Sequence, residues 1–325
     1  MPREGIVAAL MPEIPLFDHD TVLSAIAPLE AIERVRDGFV RHASGEWEMP
    51  AKVYLLSPPN GDFRAMPARG SGLAMLKWIC SFPGNSDNGL PAVMGTICVS
   101  DAENGRPLAL IDARAVTALR TGAVAAIAAQ ELGREDAARP GIIGCGLHGA
   151  WAARCLAAAE YGPGVCFDPD PDRAGALAGE LGWEAGSRED ALGCDVVTCV
   201  TPGHEPVVGV GDLRPGLHLN MLGADGPGKA EADPEAVAGC RLFCDEWQQA
   251  SHGGELTGAI AAGLIDQSDV TELGEVLTGM SQGREAPEEV TLFDSTGLAI
   301  QDLAICHALL EAHAAGAVKA TSGRL

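Results

Sequence analysis

Apolar residues recur at spacings of three and four from Val22 through Ile26, Leu29 and Ile32 to Val35. That period predicts one helix over 20–42 with a buried stripe, capped by Asp18 or Asp20. Beyond it the pattern shortens to strands. Runs at 52–56, 63–66 and 73–80 read as extended, the first two joined through Pro58-Pro59-Asn60-Gly61-Asp62, whose prolines and glycine favour a turn. Residues 92–100 and 107–112 read as a hairpin closed by Glu103-Asn104-Gly105, and 115–132 as a helix. A helix followed by mostly antiparallel strands is an α+β pattern.

From residue 139 the pattern changes again. Short apolar runs at 141–143, 165–167, 195–200, 217–222, 241–244 and 290–293 are separated by helical or loop segments, and a helix at 298–314 comes last. That alternation predicts a parallel sheet built from βαβ units. The expected fold class is α/β: a Rossmann domain over 126–299, and an α+β domain over 1–125 completed by 300–325.

The stretch Gly144-Cys145-Gly146-Leu147-His148-Gly149 lies between the strand at 141–143 and a helix beginning near Ala150. G-x-G-x-x-G in that setting is the dinucleotide-binding fingerprint: a tight turn, a close approach for pyrophosphate, and a helix N-terminus that offers free N–H groups. Asp168 ends the next strand, 19 residues after Gly149. A carboxylate there suits the ribose hydroxyls of NAD and repels the extra phosphate of NADP. Its other reading is the opening of the Asp168-Pro169-Asp170-Pro171 turn.

Three further residues stand out against their surroundings. Lys77 lies in the apolar run Ala74-Met75-Leu76-Lys77-Trp78-Ile79, where an ammonium either faces water from an edge strand or meets an anion. Arg120, in a run of Ala, Leu and Val, poses the same choice between surface residue and carboxylate clamp. Asp225 follows the strand at 217–222, either shaping the glycine-rich turn or standing where α/β enzymes place catalytic groups. Gly223 to Lys229 also matches G-x-x-x-x-G-K, but Ala230 replaces the Mg²⁺-binding Ser or Thr and Pro227 lacks an N–H, so a nucleotide hydrolase is not expected.

Composition narrows the partners. A net charge of −23 disfavours nucleic acid and anionic membrane, and no run of 18 apolar residues suggests a membrane span. The start, Met1 to Pro12, lacks the basic region and cleavage site of a signal peptide. Ten cysteines without a C-x-x-C pair suit a reducing cytoplasm, and eight histidines without ligand spacing suggest no metal.

Several segments together carry a resemblance: Met66-Pro67-Ala68, Leu73 to Lys77, Phe82-Pro83-Gly84-Asn85, Gly105 to Ala109, Thr117 to Ala123, the glycine fingerprint, Gly223 to Lys229, and Phe293 to Asp302. In order and content the chain resembles the ornithine cyclodeaminase/mu-crystallin family from about residue 48 to 305. The resemblance implies a homodimer with the first domain binding substrate and forming the interface. It implies reduction of imines, or oxidation of amines, beside a carboxylate. Lys52, Arg64, Met66, Lys77 and Arg120 would hold substrate, with Lys77 and Asp225 catalytic. Thr121, Gly144, Gly146, Leu147, His148, Gly149, Asp168, Thr201 and Ser295 would hold NAD or NADH. Lys52 stands where the family usually has arginine, which keeps the charge and loses the fork. Arg64 stands where ornithine-using members have a glutamate for the distal amine. That reversal, unless Arg64 points elsewhere, favours a small dicarboxylic substrate, and NADH-dependent reduction of iminosuccinate to aspartate fits it best. A cyclodeaminase, an alanine dehydrogenase, a reductase of a larger amino-dicarboxylate adduct and a non-catalytic, cofactor-bound mu-crystallin-like protein are the alternatives.

Overall fold

The computed structural model describes residues 13–202, 205–226 and 228–324; the opening segment read above for a signal peptide and Pro227 lie outside them. The first part of the chain runs β1 (Ile14–Phe17), α1 (His19–Ala25), α2 (Pro28–Ala43), β2 (Val53–Ser57), β3 (Gly61–Gly70), β4 (Leu73–Ser81), β5 (Val93–Asp101), β6 (Pro107–Asp112) and α3 (Ala113–Leu132). The single helix expected over 20–42 is two. Asp18 caps α1 through the Thr21 N–H at 2.9 Å, and Pro28 opens α2. Proline has no N–H to donate and blocks the turn before it, so the apolar stripe continues across a break in the backbone.

The second part runs β7 (Pro140–Ile143), α4 (Leu147–Ala158), β8 (Val165–Phe167), α5 (Pro171–Leu181), β9 (Glu184–Ala185), α6 (Arg188–Leu192), β10 (Val196–Cys199), β11 (His218–Met221), α7 (Pro234–Ala238), β12 (Arg241–Cys244), α8 (Trp247–Gly253), α9 (Thr257–Ala261), β13 (Val270–Glu272), α10 (Leu273–Leu277), β14 (Thr291–Asp294), α11 (Ala299–Ala314) and β15 (Thr321–Gly323).

Two sheets result. The first has the order β15-β1-β6-β5-β4-β3-β2, antiparallel from β2 to β6, with β1 parallel to β6 and antiparallel to β15. The second has the order β13-β12-β14-β11-β10-β7-β8-β9 and is parallel throughout. This is the α/β fold with a Rossmann-type dinucleotide-binding domain. From β7 the chain moves outward through β8 and β9, then returns to β10 on the other side. The crevice at the carboxyl ends of β7 and β10 is therefore a topological switch point, where such sheets bind ligands.

Alternation decides what the first sheet offers that crevice. On β4, Met75, Lys77 and Ile79 point into the core while Leu76 and Trp78 are exposed. Helices α3 and α11 cover the buried face, with Leu119, Val124, Leu303 and Leu309 fully buried. Among the described residues no helix is long and apolar enough to cross a membrane, and all ten cysteines are free thiols.

Candidate functional site

The glycine turn forms as its sequence requires. A Cβ on Gly149 would fall inside the Gly144 carbonyl, so only glycine lets α4 pack this close to the turn. A Cβ on Gly146 would meet nothing within 4 Å, because that position faces an open cavity. The amides of the first turn of α4 have no intrahelical acceptor. Asp168 accepts from the Cys145 amide at 2.8 Å and from the Asp170 amide at 2.9 Å, which ties the end of β8 to the glycine turn. These residues fit a dinucleotide: bare backbone and free amides for phosphate, and a carboxylate where a ribose follows.

A cavity of about 370 Å³ extends from this turn to the first sheet. All the residues proposed from the sequence border it: Lys52, Arg64, Met66, Lys77, Arg120 and Asp225, expected from the sequence to serve substrate or catalysis, and Thr121, Gly144, Gly146, Leu147, His148, Gly149, Asp168, Thr201 and Ser295, expected to serve the cofactor. Seven basic side chains line it against two carboxylates, Asp168 and Asp225. In a chain of net charge −23, so basic a cavity selects anions.

Lys77, Arg120 and Lys52 are each held from behind. Lys77, 1% exposed, does not face water; its ammonium donates to Asp302 on α11 at 2.8 Å. Arg120 lies 3.7 Å from the same carboxylate and donates to Gln301. Gly297, at φ +78°, leaves room for the Arg120 guanidinium, which a Cβ would meet at 2.6 Å. Lys52 donates to the Thr296 carbonyl at 2.8 Å. Burial pushes both lysines down to about 8, against the pull of Asp302 on Lys77 and of Asp245 on Lys52. Burial, with Arg120 and Lys77 nearby, lowers His148 to about 3, so its imidazole is neutral.

Arg64 is buried and carries three bonds. Its Nε and Nη2 donate to Asp62 at 2.7 and 3.3 Å, and its Nη1 donates to Asp225 at 2.6 Å. Asp225 also accepts from Lys229 at 2.6 Å. Burial opposes the charge of Asp225, but Arg64 and Lys229 outweigh it and hold the carboxyl well below the usual carboxylate range. The segment from Gly223 to Lys229 is thus no phosphate loop: its lysine pairs with Asp225, and the Gly223 amide donates to Glu231.

Sequence reasoning missed the groups behind the lining. Glu231 accepts from the Thr201 amide at 2.6 Å and the Gly223 amide at 2.7 Å, fastening the loops after β10 and β11 together. Glu255 accepts in turn from the Glu231 and Ala232 amides, and burial pushes both acids up to about 7. Asp245 holds the Ser295 hydroxyl at 3.0 Å and the Gly297 amide at 2.7 Å. The available signal was the one that exposed Lys77, a charge inside an apolar run, and Asp302 carries it within Leu298 to Ile305. Among the described residues no cluster of metal-ligating side chains forms.

Comparison with known proteins agrees with this architecture. A sequence profile of the ornithine cyclodeaminase/mu-crystallin family matches residues 18–165 and 173–316. An alanine dehydrogenase of Archaeoglobus fulgidus is 40% identical over 306 residues, covering 92% of this chain and 95% of the relative. An iminosuccinate reductase of Paracoccus denitrificans is 35% identical over 237 residues, covering 71% and 74%. The solved structure of an archaeal alanine dehydrogenase dimer with bound NAD superposes with a TM-score of 0.91 at 39% identity, covering 97% of this chain and all of that one. With the fold, the glycine turn and the cation-lined cavity in place, the chain belongs to the ornithine cyclodeaminase/mu-crystallin family.

Proposed function

We propose that this protein is an NAD-dependent oxidoreductase that interconverts an imine and an amine at a carbon next to a carboxylate, and that it reduces iminosuccinate to aspartate. The observation that carries the reading is the arrangement around Asp225: two carboxylate-binding groups, Lys77 with Arg120 and Arg64, border one cavity with an ionised carboxylate among its lining groups. NADH, bound on the glycine turn, supplies the hydride. Lys77 and Arg120, with Lys52, hold the α-carboxylate and so turn the imine carbon toward the cofactor face of the cavity. Asp225, an acceptor only, takes a hydrogen bond from the iminium N–H and stabilises its positive charge, which keeps the carbon electrophilic. The carbon gains the hydride, the π pair ends on nitrogen, and the amine takes its last proton from water.

Arg64 supports the dicarboxylic substrate. A guanidinium has five N–H donors, and Asp62 and Asp225 occupy three, so two remain for a second carboxylate. A second reading has its own support. Asp62 and Asp225 already balance the charge of Arg64, which suits a monocarboxylic substrate and alanine dehydrogenase activity like that of the archaeal relative. The assembly we assign is a homodimer in the cytoplasm. Strand β2 ends the first sheet with Val53, Leu55 and Leu56 about 60% exposed or more, beside Leu76 and Trp78 on β4. The free thiols suit a reducing compartment.

The test is NADH consumption with oxaloacetate plus ammonium, the equilibrium source of iminosuccinate, beside pyruvate plus ammonium, with ornithine and NAD as a third arm. The diacid is expected to have the highest kcat/KM. A higher value for pyruvate plus ammonium would replace the reading with alanine dehydrogenase, and turnover of ornithine alone would overturn the role given to Arg64.

A further inference from the structure

The basic residues of the cavity divide sharply by partner. Arg64, Lys77, Arg120, Arg173 and Lys229 each lie against a carboxylate, and Lys52 against a carbonyl. Arg114, half-buried in the first turn of α3, makes neither a hydrogen bond nor an ion pair with any described residue, yet it lines the same cavity. A cation so placed, at the edge of an anion-selecting cavity, is uncommitted until a ligand arrives.

The packing of two helices shows which ligand. Helix α3 begins at the cavity and ends at Leu132, whose carbonyl accepts from Thr291 at the start of β14; α4 also begins at the cavity, at the glycine turn. The two helices therefore run in the same direction. They touch where a Cβ on Gly122 would meet the Trp151 carbonyl and the Ala152 amide. Counting back one turn puts Leu147, the first residue of α4, level with Ala118. Arg114 is then one further turn out, about 6 Å beyond the start of α4 at 1.5 Å per residue. That is the space into which the free amides of α4 point. Thr117 and Thr121, three and seven residues on, continue the same cavity-lining face of α3.

We infer that Arg114 clamps the pyrophosphate of the dinucleotide from the side opposite the glycine turn, so that the phosphates lie between its guanidinium and the N-terminus of α4. The inference rests on the cofactor part of the function proposed above. A planar guanidinium meets phosphate oxygens with two parallel N–H bonds, while the amides of α4 take the other face. His148, the neighbouring side chain at that helix start, is neutral and does not compete for the anion.

Titration with NADH, followed by its fluorescence, tests the assignment on the full chain, with displacement by ADP-ribose and by adenosine as separate arms. Arg114→Gln is expected to weaken NADH and ADP-ribose about 10- to 100-fold, the effect of losing a charge-assisted bond, and to leave adenosine unchanged because it has no phosphate. Arg114→Lys should recover part of the loss. If the parent protein itself does not bind NADH, the cofactor reading fails. If the parent binds and Arg114→Gln binds equally well, this inference alone fails. Unchanged NADH affinity with a raised KM for the diacid would reassign Arg114 to substrate. An equal loss for adenosine would mean a distorted site and overturn the clamp.

Discussion

Replacing Arg64 with glutamine removes one cation from a network of two carboxylates and two bases. The reverse-charge change to glutamate would be less informative, because it puts a third carboxylate between Asp62 and Asp225 with Lys229 as the remaining base in the network. In the glutamine variant Lys229 still donates to Asp225 at 2.6 Å, so Asp225 stays ionised and the chemistry beside it continues. What is lost with a dicarboxylic substrate is a charge-assisted bond, about 1.5–3 kcal/mol, or about 10- to 150-fold in kcat/KM. Pyruvate plus ammonium has no second carboxylate and suffers only the shared loss of support for Asp225. The assay is therefore the ratio of kcat/KM for oxaloacetate plus ammonium to that for pyruvate plus ammonium, in parent and variant. The shared loss cancels in the ratio, which should fall by about 10-fold or more. If both substrates lose activity equally, Arg64 serves Asp225 alone and the argument for a dicarboxylic substrate is refuted.

Two further outcomes follow from the buried charges. With Lys77 and Lys52 held near 8, the free enzyme loses carboxylate-binding cations as pH rises. kcat/KM should therefore fall above about pH 8, while kcat stays flatter because a bound carboxylate keeps the ammonium protonated; a profile of kcat/KM level to about pH 9.5 would remove both lysines from substrate binding. Glu231→Ala leaves the Thr201 and Gly223 amides without an acceptor and should cost about 2–5 kcal/mol in urea unfolding, with Glu231→Gln losing less. The folded Glu231 acid titrates near 7, above its unfolded value, so its contribution is full at low pH and is lost as pH rises through 7. The gap between parent and alanine variant should accordingly widen as pH falls; a constant gap would show that Glu231 does not titrate in the fold.

Local pattern and long-range pairing were not equally legible. The six parallel strands expected, the glycine turn and the strand that carries Lys77 are local, and each appears in the structure within a residue or two of its expected place; the short strands β9 and β13, at the two edges of the parallel sheet, were not foreseen. The break before Pro28 was local as well, but the apolar stripe bridges it, so periodicity concealed what one proline decides. Strands β1 and β15 were not legible at all. Leu16 pairs with Thr321 across some three hundred residues, and neither four residues at one end nor three largely exposed residues at the other announce a partner. The groups behind the site failed for the same reason. Lys77 required an anion, yet 225 residues separate it from Asp302, and nothing in either segment names the other.

That limit bears on the substrate more than on the fold. Arg64 read in isolation is an unmatched cation, and an unmatched cation calls for a second carboxylate. In the folded chain Asp62 and Asp225 reach it from β3 and from the loop after β11, and its positive charge is already matched before substrate enters. What survives is geometric rather than electrostatic: two free donors on a guanidinium that Asp62 fixes in orientation. A diacid that binds there gains directed hydrogen bonds with little net Coulombic attraction. Its preference over a monoacid should then depend weakly on ionic strength, whereas binding of the α-carboxylate to Lys77 and Arg120 should weaken with salt for both substrates alike. A diacid preference that collapsed in salt would place the second carboxylate on Lys52 or Arg114 instead of Arg64.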